Sequence, residues 1–387
     1  MFRQTWAAQA LAGIQGARVL TPGGLGPASF AIENQMLAGA RRASDFLDAG
    51  DLLVLPGIVD LHGDAFERSI CPRPGVYLPY DLALADVDAQ LLGNGITTAF
   101  HGVTLSWEGG LRGLSPAKQM LSALEQHKGS LGADHRFHLR LEARFAQGPA
   151  IARDWIEAGS VQLLSINDHW PQVAARLEDP LEASWLAQRA ECDLEAFHAR
   201  VQAAGQREPL PQEIVDLVSL ARRRGLGVAS HDDADPANRM IRSAMGCNIA
   251  EFPLDVATAR QARASGDLVV FGAPNVLRGG SHVGAPRVED MVRAGLCDVL
   301  SSDYYYPSPL LAAFELAGRG VTTLVSAWDM VSLNAARAAG LGDRGSLEVG
   351  KRADFLLVDD AGPRAKVVAC VVAGSVRYLS SLPQPHS

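Results

Sequence analysis

Residues that can bind a divalent metal ion stand at intervals along the chain, each at the end of an apolar segment. The first are His62 and Asp64, which follow the apolar run around Leu61. Residues i and i+2 of a strand face the same side, so this imidazole and this carboxylate point together. The pair suits an ion such as zinc or manganese. Alone, however, a His-x-Asp motif is more often structural than functional.

Four further segments end in residues of the same kind. They supply Glu142 (HLRLE), Asp168 and His169 (SINDHW), His231 and Asp232 (VASHDD), and Asp303 (VLSSD). Only one of two adjacent strand residues can face inward, so Asp168 and His169 remain alternatives, and we favour His169 as the ligand. Asp168 and Asp232 are then expected behind the ligands, holding them by hydrogen bonds. The predicted metal site consists of His62, Asp64, Glu142, His169, His231 and Asp303.

A second group of residues suits an anion. In NVLRGGSHVG, the backbone N–H groups of a flexible loop could cradle a phosphate. The predicted phosphate-binding residues there are Arg278, Gly279, Gly280, Ser281 and His282. Arg68 and Arg73 follow the first metal motif and offer guanidinium groups, which bind phosphate through paired hydrogen bonds. A tight turn after a strand is the alternative interpretation of the glycine loop.

These residues need a scaffold that brings the ends of distant segments together. Eight apolar segments alternate with helix-like stretches, a pattern typical of a buried parallel sheet. The expected strands lie at 57–64, 95–104, 136–145, 160–170, 225–233, 247–253, 267–275 and 297–307. Eight such units predict an α/β protein with a TIM-type (β/α)₈ barrel over residues 56–344, whose active site lies at the C-terminal strand ends.

Two further parts of the chain complete the predicted organisation. Short strand-like segments in 1–55 and 345–387 predict one small β-sandwich domain built from both termini. The stretch 171–224 carries two amphipathic helix patterns inside the barrel. It is interpreted either as a lid or as passive packing.

Composition excludes several classes of partner. The net charge is −8 and there is no basic tail or long run of Lys and Arg, which argues against nucleic acid binding. The five cysteines are scattered without a CxxC pair, which argues against disulfides and fits a reducing cytoplasm. No segment is apolar over the length of a membrane span, so a cytoplasmic protein without a membrane partner is expected. The sequence leaves open whether the chain forms a homo-oligomer.

The chain resembles the amidohydrolase superfamily and, within it, the PhnM-type diphosphatases of phosphonate utilisation. The resemblance runs from about residue 50 to 360 and is carried by segments such as LVLPGIVDLHGD, IAEFP, GAPNVLRGGSH, LSSDYYYP and DRGSLEVGKRADFLLVD. The superfamily usually has His-x-His as its first motif, so Asp64 favours the narrower family. Those proteins tend to carry Thr-Asp-Asn after the histidine, whereas this chain has Gly63, Asp64 and Ala65. It therefore resembles a divergent branch.

The resemblance implies a metal-dependent hydrolase that releases pyrophosphate from a ribose 5-triphosphate phosphonate in the carbon–phosphorus lyase pathway. The cofactor would be one or two divalent ions, zinc or alternatively manganese, and the partner a small phosphorylated substrate. Asp303 would be the catalytic residue that orients water and takes its proton. The arginines and the glycine loop would hold the phosphates.

Lysine positions bear on the metal count. Many members of the superfamily bridge two metals with a carboxylated lysine on a barrel strand. Here the lysines, at positions 118, 128, 351 and 366, all lie off the predicted strands, so no carboxylated lysine is expected. Either Glu142 bridges two ions or the site holds one.

Two other functions remain as alternatives. One is an amidohydrolase or deaminase acting on a cyclic amide or a nucleobase-like substrate, for which the arginines and the RGGSH loop would have less to do. The other is a non-catalytic scaffold of the phosphonate pathway, and the presence of both His62 and Asp303 argues against it.

Overall fold

The structure, a computed structural model, describes residues 11–39, 46–280, 284 and 286–380. Its strands are β1 Gly13–Thr21, β2 Gly24–Glu33, β3 Met36–Gly39, β4 Leu47–Asp48, β5 Leu53–Pro56, β6 Ile58–Gly63, β7 Ile96–Leu105, β8 Asp134–Glu142, β9 Leu163–Asn167, β10 Gly227–His231, β11 Ile249–Glu251, β12 Leu268–Gly272, β13 Val299–Ser301, β14 Phe355–Asp359, β15 Lys366–Val372 and β16 Ser375–Leu379. They form two sheets of eight strands each.

Helices follow most strands of the second sheet. They are α1 Phe66–Ile70, α2 Tyr80–Gly93, α3 Leu114–His127, α4 Gly148–Glu157, α5 Trp170–Arg176, α6 Pro180–Arg189, α7 Leu194–Gly205, α8 Gln212–Arg223, α9 Pro236–Met245, α10 Val256–Ala264, α11 Pro274–Arg278, α12 Val288–Arg293, α13 Ser308–Gly318, α14 Leu324–Val331 and α15 Leu333–Ala338, with a 3₁₀ turn at Gly110–Arg112. Aspartate side chains cap the first turns of α6, α7, α9 and α10, which fixes where these helices begin.

Strands β6 to β13 pair in parallel and in chain order, which confirms the predicted (β/α)₈ barrel. Each of the eight predicted segments overlaps one of these strands, and six contain their strand entirely, while β7 ends one residue later and β8 begins two residues earlier than predicted. The barrel interior is a small apolar cluster that includes Phe100, Ile249 and Val270, and alanines of α15 pack against it. A larger apolar cluster fills the layer between the strands and the surrounding helices. Both faces of the sheet are therefore buried, as parallel sheets require.

The barrel closes between its first and last strands. Gly63 and Asp303 form a parallel bridge, in which the Asp64 amide donates to Asp303 and the Asp303 amide donates to the His62 carbonyl. Next to this bridge the buried Asp60 carboxylate accepts from the Ser302 amide at 2.8 Å and from the Ser302 hydroxyl at 2.5 Å. At this seam, close to His62 and Asp303, the Asp60 side chain accepts hydrogen bonds in the way that backbone carbonyls do elsewhere in the sheet.

Both ends of the chain build the other sheet, as predicted. Its order is β16-β15-β14-β5-β1-β2-β3, with β4 beside β1, so the strands form one mixed sheet with its own apolar core around Phe355. The Trp328 indole donates to the Pro56 carbonyl and the Ser332 hydroxyl to the Gly57 carbonyl, which ties this sheet's last strand before the barrel to α14 and α15.

The lysines lie off the barrel strands, as the sequence indicated: Lys118 on α3, Lys128 just after it, Lys351 in a turn and Lys366 on β15. None of the described helices is long and apolar enough to cross a membrane.

The stretch 171–224 forms most of α5 and all of α6, α7 and α8. Phe197 and Leu186 pack in a separate apolar cluster with Trp107 of the barrel mouth. The Arg200 guanidinium donates to the Glu108 carbonyl at 2.6 Å, which fixes α7 to the loop after β7. These contacts favour packing on the catalytic face, and the lid stays a prediction.

Removing the seam carboxylate should weaken the barrel. In Asp60→Ala, the buried Ser302 amide and hydroxyl lose their acceptors, and we expect the free energy of unfolding to fall by about 3 kcal/mol. Urea unfolding followed by circular dichroism measures this change. Asp154→Ala, at an exposed helical position, is the matched control and should change stability by less than about 0.5 kcal/mol. Equal unfolding midpoints for both variants would contradict the role given to Asp60.

Candidate metal centre

Along the barrel strands, the inward-facing side chains are apolar in the barrel interior and polar at the C-terminal strand ends. Ala229 and Ile249 belong to the interior cluster, and His231 and Glu251 follow each of them by two residues. Because residues i and i+2 of a strand share a face, both side chains point toward the barrel axis at the C-terminal strand ends. The strand register itself therefore builds the site.

A buried glutamate holds two of the histidines. Glu251 Oε2 lies 2.9 Å from Nδ1 of His231, and Glu251 Oε1 lies 2.9 Å from Nδ1 of His62. Burial opposes ionisation, but the surrounding imidazoles of His62, His138 and His231 outweigh it and hold the pKa of Glu251 well below its usual value. Glu251 is therefore an anion that orients both rings.

A second carboxylate holds His169 in the same way. Glu142 Oε1 lies 2.5 Å from Nδ1 of His169, and Glu142 Oε2 accepts the His169 amide at 3.1 Å. On the other side of the ring, Nε2 lies 3.4 Å from Asp232 Oδ2. Burial lowers the pKa of His169, but the Glu142 and Asp232 carboxylates outweigh it and raise that pKa to about 9. Both acids favour positive charge at this ring, whether it comes from a proton or from a bound cation.

The ligand-type side chains form overlapping groups. Among the described residues there are three sets of three side chains, and within each set the potential ligand atoms lie within 4.8 Å of one another. The sets are His62, His231 and Glu251; His169, His231 and Asp232; and His62, Asp64 and Asp303. His62 and His231 are each shared by two sets, so the three sets make one continuous centre across the barrel mouth. The two sets without Glu251 bring together five of the six predicted ligands and Asp232, which was expected behind them.

A buried nitrogen without a partner tests whether these residues fit a metal. His138 Nε2 is buried and has no hydrogen-bond partner among the described residues. Buried polar atoms are nearly always satisfied, so an unpaired imidazole nitrogen beside the candidate ligands is unusual. Imidazole nitrogens beside carboxylates are the donor set that zinc prefers, and the residues therefore fit a divalent ion.

Two carboxylates flank the seam side of this centre. Burial and the neighbouring Asp64 raise the pKa of Asp303 to about 7. Arg140 approaches from β8, with Nη1 3.7 Å from Asp64 Oδ2 and Nη2 donating to His231 Nε2 at 3.0 Å.

Asp232 and Asp303 both adopt φ near +55°, a left-handed conformation that is uncommon outside glycine. Strained backbone that aims carboxylates into one place is typical of functional sites.

Two of the predicted phosphate-binding arginines converge beside this centre. Arg68 donates to the main-chain carbonyl of Tyr304, and Arg278 Nη1 donates to the Tyr304 hydroxyl at 3.1 Å. Tyr304 follows Asp303 directly, so Arg68 stands close to the ligand set, and Arg278 lies at the hydroxyl end of the Tyr304 side chain. They come from α1 and from the end of α11.

The other predicted phosphate-binding residues are distributed around them. Gly279 ends α11 with φ +74°, a conformation suited to glycine, and Gly280 follows it. Arg73 lies in an exposed turn that bridges Arg73 to Val76. Ser281 and His282 lie outside the described residues. The structure thus brings Arg68 and Arg278 together and leaves Arg73 on the exposed rim.

Asp168 and His169 point to different places. The Asp168 carboxylate accepts from Arg144 Nε at 2.9 Å, away from the three ligand sets, whereas His169 is part of one. This agrees with the preference for His169. Asp232 stands among the candidate ligands rather than behind them, and Glu142 stands behind His169.

Three residues of the centre were not assigned from the sequence: Glu251, His138 and Arg140. His138 and Arg140 share a face of β8 with Glu142, because alternate residues of a strand point to the same side. Glu251 ends β11, and the same alternation that identified His231 could have identified it. The signal was present, but it is a single acid in a strand of three residues.

Loss of the Glu251 charge should weaken metal binding. In Glu251→Gln, neither His62 nor His231 is oriented by a carboxylate, and we expect about 10- to 100-fold lower affinity for zinc. Competition with a chelator, followed by elemental analysis, measures this affinity. Glu157→Gln on the exposed side of α4 is the control. Equal zinc affinity in the two variants would show that Glu251 does not support the site.

Comparisons with known proteins agree with this geometry. The profile of the amidohydrolase family matches residues 187–379. Alpha-D-ribose 1-methylphosphonate 5-triphosphate diphosphatase of Escherichia coli (strain K12) is 34% identical over 325 residues, which cover 82% of this chain and 85% of that protein.

Solved structures of low identity share the fold. Molinate hydrolase matches with a TM-score of 0.64 at 15% identity, over 98% of this chain and 99% of that chain. D-Hydantoinase from a Bacillus sp. AR9 matches with a TM-score of 0.64 at 14% identity, over 95% of each chain. 5-Methylcytosine deaminase from Klebsiella pneumoniae matches with a TM-score of 0.61 at 17% identity, over 97% and 100%. These structures show the fold alone. The identity to the Escherichia coli protein and the family profile show that the chain belongs to the amidohydrolase family and is a hydrolase of that family.

Proposed function

We propose that this enzyme hydrolyses a phosphoanhydride bond of a ribose 5-triphosphate phosphonate and releases pyrophosphate in phosphonate catabolism. One observation carries the proposal: Arg68 and Arg278 both donate hydrogen bonds to Tyr304, the residue that follows Asp303 of the ligand set. Guanidinium groups at that place suit the phosphates of an anionic substrate. The similarity to the Escherichia coli diphosphatase supports the same substrate class.

The metal ligands in this proposal come from four strand ends. They are His62, Asp64, His169, His231 and Asp303, with Asp232 as a further candidate. Lewis acidity toward water and phosphoryl oxygens is what a divalent ion, zinc or manganese, would supply at this site. The residues around it bind the substrate, orient it and accept a proton.

Asp303 is the proposed proton acceptor. Its pKa of about 7, raised by burial and by Asp64, lets it take a proton near neutral pH. As the water oxygen bonds to phosphorus, its proton passes to the Asp303 carboxylate and the bond from phosphorus to the bridging oxygen of pyrophosphate breaks. Pyrophosphate leaves with that electron pair.

Charge on the departing phosphates is offset by cations that are already in place. Arg68 and Arg278 are positioned by Tyr304, and Arg140 by His231 and Asp64. Preorganised charges of this kind stabilise the transition state without reorganisation. We propose that the loop of Gly279 and Gly280, with Ser281 and His282, completes the phosphate site.

Glu142 has contacts that favour a positioning role. Both of its oxygens accept hydrogen bonds from His169. These bonds occupy the oxygen atoms with which Glu142 would bind a metal directly. We propose that Glu142 sets the ring of His169, as Glu251 sets that of His231. Direct binding of the metal by Glu142 stays the alternative prediction.

The reaction itself can be tested with the purified enzyme. Loaded with zinc or manganese, it should release pyrophosphate from a ribose 5-triphosphate, and chelation should abolish the release until metal is restored. A coupled pyrophosphate assay measures both. Hydrolysis of a cyclic amide without any pyrophosphate release would overturn the proposal in favour of an amide-cleaving enzyme, and a protein that binds no metal would indicate a scaffold.

Metal content distinguishes the two roles of Glu142. If Glu142 positions His169, Glu142→Ala should keep the stoichiometry of bound metal while its affinity falls about tenfold or more. If Glu142 bridges two ions, the stoichiometry should fall instead. Elemental analysis at saturating metal reports the stoichiometry, with Glu213→Ala on exposed α8 as the control. A lower metal count in Glu142→Ala alone would refute the positioning role.

A further inference from the structure

A cavity opens beside α1, the helix that follows Asp64. Its volume is about 500 Å³, and its walls come from α1, from the loop after β7 and from the end of α6. The side chains that concern us here are Arg68, Arg112, Trp185 and Arg189. None of them belongs to the three ligand sets, and a cavity of this size holds a small organic molecule.

The cavity adjoins the centre through α1. That helix begins two residues after Asp64, and Arg68 both lines the cavity and donates to the carbonyl of Tyr304, the neighbour of Asp303. Arg112 stands within electrostatic reach of the centre. Burial lowers its pKa, but nearby carboxylates outweigh burial and raise that pKa, first Glu108 and Glu67 and then Glu142 and Asp64. Arg68 therefore stands between the cavity and the residue that follows Asp303.

Trp185 and Arg189 of α6 form one wall. Trp185 is 48% exposed, and α6 comes from the stretch 171–224. The guanidinium of Arg189 lies 5.0 Å from the indole ring centre, and that of Arg176, which does not line the cavity, lies 5.1 Å from it. These contacts hold the indole in place, and its exposed part offers apolar surface to a ligand.

Carboxylates alternate with the arginines. Glu67 and Glu108 line the same cavity, and Glu108 accepts hydrogen bonds from both Arg112 and Arg189. A bare polyphosphate would meet these acids as like charges, which disfavours it. A sugar fits better, because hydroxyl groups donate to carboxylates, C–H faces pack on an indole and an attached anion pairs with guanidinium groups.

We propose that this cavity binds the pentose end of the substrate, with the sugar ring against Trp185 and its distal anionic group toward Arg112 and Arg189. The triphosphate then runs past Arg68 to the metal centre. This inference rests on the proposed function and adds the site that selects a sugar over a simple polyphosphate. It also gives the helical stretch 171–224 a role in substrate selection.

Two substrates separate this site from the catalytic centre. With the metal-loaded enzyme, Trp185→Ala should raise KM for a ribose 5-triphosphate about tenfold, while KM for inorganic tripolyphosphate changes by less than about twofold. Trp185→Phe, which keeps a flat ring, should restore most of the affinity for the ribose substrate. Leu181→Ala, 82% exposed on the same helix, is the matched control. Equal effects of Trp185→Ala on both substrates would overturn the inference.

Direct binding keeps the inference testable if neither triphosphate is hydrolysed, an outcome that would defeat the proposed function alone. Calorimetric titration of the metal-loaded protein with ribose 5-phosphate should then show weaker binding to Trp185→Ala than to Leu181→Ala, by about tenfold. Indistinguishable affinities for the two variants would refute the sugar site.

Discussion

A carboxylate with 1% of its surface exposed stands at the middle of the barrel mouth, and the centre is arranged around it. Burying the charge of Glu251 without compensation would cost several kcal/mol. His62, His138 and His231, from the first, third and fifth strands, surround it and make its ionised form stable. Glu142 imposes the same requirement on His169. Glu251 and Glu142 thus orient the histidine rings, and the carboxylates of the remaining candidate ligands add negative charge that favours binding of a cation.

Strand periodicity is what made much of this predictable. Eight apolar segments gave the barrel, and residues in step with the alternation, such as His62, Asp64 and His231, fell on its axis. Glu251 obeys the same rule but ends a strand of only three residues, so its sequence context is thin. Its importance comes from contacts with His62 and His231, which are close in space and far apart in sequence.

Other features lay beyond what alternation can predict. β9 ends at Asn167, so Asp168 and His169 follow no strand rule, and only the pairing of Asp168 with Arg144 separates their roles. Asp232 joins the ligands because its backbone is left-handed, which turns its carboxylate away from the direction a strand would give it. The cavity at Trp185 needs three separate segments to meet, and its chemistry exists only in the folded chain.

The seam has a consequence for how the enzyme comes into being. Asp60 and Ser302, which join the first and last barrel strands, are 242 positions apart. Contacts across so long a loop form slowly, and during synthesis they must wait until the last strand has left the ribosome. A nascent chain that already carries His62 and Asp64 lacks Asp303, so this ligand set is assembled last. A metal ion bound there would link the first and last strands of the barrel. The metal centre would then be completed in the final step of folding.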